Sequence, residues 1–233
     1  SRLISSPITL GFDKSSIRES IASIFYNKTF KYGYDENIIE RNLHLIKFSL
    51  GFVFDQEEIK HKLPFLHSSE KYLITKLSSI KKNILLVPAA SFKAKCYPVI
   101  KLAELTTRLD ANFLIIWGNQ EEKIIADEIK ALSPNVNVCK KLSIDSLISL
   151  ITQIDLVIGP DTGPTHMAWA LNKSSITLFG PTPGYRNSYV TKINRIIESK
   201  SEVNPYKIDK NDSSINDIDL QEILQVSQDL LNQ

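Results

Sequence analysis

From Asn83 onward the chain alternates short, uninterrupted apolar runs with segments of helical length, and this alternation restricts the fold more than any other feature. Ile84-Leu85-Leu86-Val87, Phe113-Leu114-Ile115-Ile116, Val136-Asn137-Val138, Leu156-Val157-Ile158 and 175–179 read as strands, with helices over 98–109, 121–132, 143–151 and 164–171. A strand with no polar alternation has to be covered on both faces, and helical crossovers of about ten residues supply that cover when the strands run parallel. The expected class is therefore α/β, with a Rossmann-like parallel sheet. No strand is followed by G-x-G-x-x-G, so a nicotinamide or flavin dinucleotide is not supported.

The flanks are less regular. Ahead of Asn83, 8–11 reads as a strand, 15–26 and 37–50 as helices, and 59–80 as a polar connecting segment, with a boundary near Ile80. After Phe179 a polar stretch rich in Asn, Ser and Lys leads to 217–231. There Ile218, Leu220, Ile223, Leu224, Val226 and Leu230 fall at helical spacing and predict an amphipathic closing helix. The resulting partition is 1–80, 81–215 and 216–233. With 233 residues, 42% of them hydrophobic, the chain can bury the core of one large domain or two modest ones. A net charge of +2 is too small to argue for nucleic acid, so any anion site must be local. Cys96 and Cys139 fit neither a disulfide framework nor a zinc site, which favours a reducing, cytoplasmic setting. No apolar run approaches the roughly 18 residues of a spanning helix, and no charged leader precedes an apolar core. The chain opens at Ser1-Arg2-Leu3, without Met and within what reads as a helix end or loop, so it reads as a fragment.

Three loops carry the chemistry. After Leu156-Val157-Ile158 the chain turns at Gly159-Pro160 and offers Thr162 or Gly163 as an N-cap, with Pro164 at the first helical position. A helix opening at the carboxyl end of a strand aims backbone N–H groups and a positive dipole end at one place, which suits a phosphate or diphosphate. Thr165 and His166, in the first turn, can add side-chain donors. Asp161-Thr162-Gly163 also spells the aspartic-protease triplet, but that chemistry belongs to an all-β chain with two such carboxylates, whereas this triplet opens a helix. The plain structural reading of Asp161 is helix capping, and of His166 a structural histidine. Both weaken because Thr162, Gly163, Thr165 and His166 converge on one helix start at the expected ligand crevice. In the second loop, 89–98, Lys93 or Lys95 could reach the same anion, and spacing does not choose between them; most lysines are merely solvated. In the third, Trp117-Gly118-Asn119-Gln120-Glu121-Glu122, a carboxylate could accept both hydroxyls of a ribose or simply favour the helix dipole.

Taken together these loops resemble the bacterial heptosyltransferases of lipopolysaccharide core synthesis, glycosyltransferase family 9, most closely the heptosyltransferase I type. The matching residues are Lys95-Cys96-Tyr97-Pro98, Trp117-Gly118 with Glu121-Glu122, Lys141-Leu142-Ser143, Asp161-Thr162-Gly163 with His166, and Phe179-Gly180-Pro181-Thr182; Ser15 to Asn27 also looks like the family. The resemblance implies a GT-B arrangement of two Rossmann-like domains across a cleft. Residues 1–80 would be part of the amino-terminal acceptor-side domain, 81–215 the complete domain holding the ADP-sugar, and 216–233 the closing helix. By the same carry-over, Ala90 and Ser91 meet the donor phosphates or sugar, with Lys95 as the positive charge on them. Thr162, Gly163 and His166 grip the diphosphate, and Glu122 holds the adenosine ribose. Leu142 borders the adenine where the family usually has a longer apolar residue, and Asp161 contacts the donor heptose or orients the loop.

The implied reaction is inverting transfer of L-glycero-D-manno-heptose from ADP-heptose to a Kdo sugar of the lipid A inner core, at the cytoplasmic face of the inner membrane, with no metal and no cofactor besides the donor substrate. Lys95 and Asp161 are the expected catalytic residues. The family's general base, an Asp on a Gly-containing loop after the first strand, is expected outside this chain; Asp13 is not its counterpart, since its neighbours match a later part of the family. The alternatives are a non-catalytic ADP-sugar-binding fragment and a related glycosyltransferase with a different acceptor.

Overall fold

The computed structural model describes residues 6–69 and 76–233. The reading of Ser1-Arg2-Leu3, and the 70–75 portion of the connecting segment, lie outside the described residues. The early part holds β1 (Leu10–Phe12), β2 (Lys28–Phe30), α1 (Ile38–Leu50) and α2 (Gln56–Lys60), with β1 and β2 paired in parallel. Helix α1 begins where its sequence says it should, because the Asn37 side chain accepts from Ile39 N, and it ends on Gly51, whose φ of 73° closes the helix in the left-handed region. The helix expected over 15–26 is instead a short 3₁₀ turn, Ser20–Phe25, with no buried residue. Without a core to pack on, propensity decides: Ser23 Oγ donates back to Ser20 O at 2.7 Å, and β-branched Ile21 and Ile24 add little helical preference.

The later part is one six-stranded sheet. Along the chain run β3 (Asn83–Leu86), α3 (Val99–Arg108), β4 (Asn112–Ile115), α4 (Gln120–Leu132), β5 (Asn137–Val138), α5 (Ile144–Thr152), β6 (Leu156–Pro160), α6 (Gly163–Ala170), β7 (Ser174–Phe179), α7 (Gly184–Asn187), β8 (Asn194–Glu198) and α8 (Leu220–Leu231). The strands lie in the order β5-β4-β3-β6-β7-β8, all parallel. Side chains alternate between two cores, as the pleat requires. Ile84, Leu86, Phe113, Ile115, Leu156 and Ile158 face a layer that includes Leu105, Ile129 and Ile223, while Leu85, Leu114 and Val157 face Ile148, Ile151 and Ala168. The apolar stripe of α8 sits in the first core, against α3, β6, β7 and β8. Tyr97 Oη donates to Ile218 O at 2.9 Å and holds the start of that helix down.

Strand β8 and the single turn α7 correct the reading of a polar stretch after Phe179. β8 is an edge strand whose Arg195 and Glu198 are exposed while Ile197 is buried, so it lacks the apolar run that marks a central strand. Its first residue is recruited by tertiary contacts, Asn194 Nδ2 donating to Lys173 O at 2.8 Å and Ser175 Oγ at 3.0 Å. Gly159 explains how closely the two middle strands approach. A Cβ there would stand 2.6 Å from Val87 Cβ and 3.0 Å from Val87 O, so β3 and β6 leave room only for hydrogen.

Candidate functional site

The sheet changes winding direction between β3 and β6, and the loops leaving their carboxyl ends open a crevice there. The loop after β6 is organised by Asp161, 8% exposed. Its Oδ1 lies 3.0 Å from His166 Nε2, and its Oδ2 takes Lys95 Nζ at 2.7 Å, Thr182 Oγ1 at 3.1 Å and Asn187 Nδ2 at 3.2 Å. Lys95 Nζ also donates to the Asp161 carbonyl at 2.8 Å. Burial by itself pushes this carboxyl up, but the hydrogen bond from His166 and the charge and hydrogen bond of Lys95 outweigh it and hold the group well below the usual carboxylate range. An ionised carboxylate only accepts, so His166 Nε2 carries a hydrogen and the rest of the ring, 42% exposed, faces outward.

The helix start differs in two details from the sequence reading. Thr162 is the N-cap and Gly163 the first helical residue, so Pro164 occupies the second helical position. Thr165 is buried and turned inward, its Oγ1 2.7 Å from Thr162 O and 3.0 Å from Pro160 O, so it fixes the turn and is not available to a ligand. Gly163 is exposed, with nothing within 4 Å of where a Cβ would stand, and the helix start opens outward at that point.

The two lysines lie in different surroundings. The 3₁₀ turn Lys93–Lys95 leaves Lys93 exposed and sends Lys95 under the β6 loop, where its side chain is only 12% exposed. Glu122, in the first turn of α4, accepts from Gly118 N at 2.6 Å and Asn119 Nδ2 at 3.1 Å, which holds its carboxylate at the mouth of the crevice.

Three adjoining cavities run past these groups. One of about 280 Å³ is lined by Ala89, Trp117, Glu122, Leu142, Thr162 and Pro164. A second, about 520 Å³, shares Ala89 and Glu122 with it and adds Ala90 and Ser91. The third, about 420 Å³, lies beyond the Thr162–Gly163 peptide and takes in Gly163 and His166. The structure thus brings Glu122, Leu142 and Thr162 into one cavity, and puts Ala90 and Ser91 beside them and Gly163 and His166 just past the turn. Lys95 and Asp161 line none of the three; they form the buried pair beneath the Asp161-Thr162 turn. Thr182 and Asn187 complete the Asp161 environment and were not singled out as site residues by sequence. Thr182 follows a strand at the same sheet edge, a signal that could have found it; Asn187 depends on α7, which has no sequence signature.

The model for glycosyltransferase family 9 (heptosyltransferase) matches residues 1–214. Lipopolysaccharide heptosyltransferase 1 of Campylobacter coli is 38% identical over 235 residues, covering 94% of this chain and 69% of that protein. The protein of the same name from Salmonella typhimurium is 27% identical over 186 residues, covering 77% and 56%. The chain therefore spans 56% to 69% of the length of these two relatives. Among solved structures, E. coli heptosyltransferase WaaC with ADP matches with a TM-score of 0.72 at 20% identity, over 96% of this chain and 66% of that one. The family 9 glycosyl transferase of Veillonella parvula gives a TM-score of 0.69 at 13% identity, over 98% and 68%. At these identities the structural likeness concerns the fold.

Proposed function

The chain belongs to glycosyltransferase family 9, the heptosyltransferases, and on that footing we propose that its crevice holds an ADP-linked heptose for transfer to a lipopolysaccharide acceptor. The observation that carries the proposal is the adjoining pair of cavities that share Ala89 and Glu122 at the reversal point of the sheet, with the α6 start alongside. In this reading Glu122 accepts the ribose hydroxyls and Leu142 borders the adenine. Gly163 and His166 face the diphosphate, and Ala90 and Ser91 lie along its path to the sugar. WaaC, whose fold this chain shares, was solved with ADP, and that supports the choice of nucleotide.

The finer assignments are L-glycero-D-manno-heptose as the sugar, Kdo of the lipid A inner core as the acceptor, inversion at the anomeric carbon, and work at the cytoplasmic face of the inner membrane. We assign 1–80 to the acceptor side, 81–215 to the donor side and 216–233 to the closing helix. As the sugar leaves, ADP gains negative charge, and the protein's contribution is fixed positive potential from the α6 start and Lys95. Asp161 is not the base that takes the acceptor proton. A carboxylate that receives four donors has lost affinity for a proton, so its part is to hold Lys95 and His166 in place. Calorimetry with ADP tests the donor half of the reading. Binding that weakens in Glu122→Gln and Leu142→Ala supports it, and no binding by the wild-type chain overturns it. A transfer assay on Kdo-lipid A tests the acceptor half, and binding without transfer favours a module that holds the ADP-sugar without acting on it.

A further inference from the structure

The one-turn helix α7 touches both the buried pair and the early part of the chain. Asn187, its last residue, donates from Nδ2 to Asp161 Oδ2 at 3.2 Å, while its Oδ1 accepts from Arg186 Nη1 at 2.9 Å. Because a guanidinium only donates and an ionised carboxylate only accepts, the amide can face only one way between them. Arg186 is itself fixed from the other side. Its Nε donates to Tyr34 O at 2.8 Å and its guanidinium lies 4.3 Å from the centre of the Tyr34 ring. Asn37, the cap of α1, donates from Nδ2 to Tyr185 O at 2.9 Å and to Ser188 O at 2.8 Å, so it bridges the carbonyls on either side of Arg186 and Asn187.

We propose that Asn187 is a positioning residue for the Lys95–Asp161–His166 cluster, and that α7 makes the geometry of that cluster depend on the segment Tyr34–Asn37. Through Tyr34 and Asn37, which line none of the three cavities, the part of the chain assigned to the acceptor side then reaches the charged cluster. With the clamp in place, Asp161 keeps all four donors and Lys95 stays beneath the β6 loop. When Tyr34 or Asn37 moves, Arg186 releases Asn187, Asp161 loses a donor, and Lys95 and His166 are held less firmly. The consequence for nucleotide binding rests on the donor reading above; the coupling itself does not.

Two measurements separate these. Acetylation by acetic anhydride, followed at Lys95 by mass spectrometry with exposed Lys93 as internal reference, needs no ligand. Asn187→Ala is expected to speed labelling of Lys95 severalfold. Arg186→Met, which can donate to neither Tyr34 O nor Asn187 Oδ1, is expected to do so to a smaller extent, and the double variant no more than Asn187→Ala, since both act through one contact. Calorimetry with ADP is expected to weaken by roughly tenfold in Asn187→Ala, the scale of one hydrogen bond to a charged group. Asn187→Asp, although isosteric, is expected to weaken it further, because it sets a second carboxylate against Asp161. A role in packing alone predicts the reverse order. The proposal is overturned if Asn187→Ala labels Lys95 at the wild-type rate, or if Asn187→Asp binds ADP better than Asn187→Ala. Failure of the wild-type chain to bind ADP sinks the donor reading and leaves the labelling result to judge the coupling.

Discussion

Residues 83–231 and residues 6–69 differ in what fills their interiors. The later region is built on central strands whose aliphatic side chains are buried on both faces of the sheet. In the earlier region Ile59 is the one buried apolar side chain among the described residues, and the interior is organised by Arg41, 3% exposed. Arg41 donates to Ser16 O at 2.7 Å, to Tyr32 O at 3.0 Å and to Gly33 O, and its guanidinium lies 4.4 Å from the Phe12 ring centre. Phe30 and Phe48 stack alongside at 4.9 Å, and Tyr32 on His44 at 4.7 Å. One region is held by area removed from water, the other by a few directional contacts. The site draws on both, with two cavities on the sheet, a third walled partly by Ile38, Ile39, Phe65 and Leu66, and the clamp on α7 coming from the polar region.

The comparison can be broken most decisively in the core. Phe113→Ala is expected to lower unfolding stability by about 3–5 kcal/mol, whereas Phe48→Ala, at a side chain 37% exposed, costs about 1–2 kcal/mol. Urea titrations of the two variants measure the contrast, and equal losses would erase it. Next in size is Lys95→Ala, which strips a buried carboxylate of its countercharge. The expected loss is about 3 kcal/mol of stability, with turnover in the transfer assay down on the order of a hundredfold. Normal turnover would remove Lys95 from the chemistry.

A smaller and more local effect is expected in the early region. Arg41→Met leaves three carbonyls without their donor, and about 2 kcal/mol of protection should disappear from amides there while those of β3, β4 and β6 keep theirs. Hydrogen exchange reads both regions in one experiment, and loss spread evenly over the sheet would show that they unfold as one unit. The shallowest effect is acid dependence. Asp161 is held below its ordinary range when folded, so its contribution is fully present above the unfolded value of about 3.9 and falls away as pH drops through the folded value, with a slope of up to about 1.4 kcal/mol per pH unit. Asp161→Asn should flatten that limb in acid titrations of stability, and an unchanged limb would move the effect to other carboxylates.

What the sequence determined is whatever repeats or terminates locally. Apolar runs such as Ile84–Leu86 can lie only inside a covered parallel sheet, Asn37 and Ser143 start their helices with their own side chains, and the Gly159–His166 turn declares itself by its residue types. It also carried the family resemblance, and with it the candidate list in which Glu122, Leu142 and Thr162 share a cavity. Tertiary structure decided what depends on a partner distant in sequence. Lys95 is buried against Asp161, 66 residues away, while Lys93 stays exposed beside the second cavity. Edge strand β8 was added by pairing with β7 despite its polar residues. Asn187 gained a role because Arg186 and Tyr34, 152 residues apart, fix its amide. A side chain's chemistry is written in its letter, but whether a polar group is solvated or buried against an opposite charge depends on which other segments fold over it, and that is a property of the whole chain.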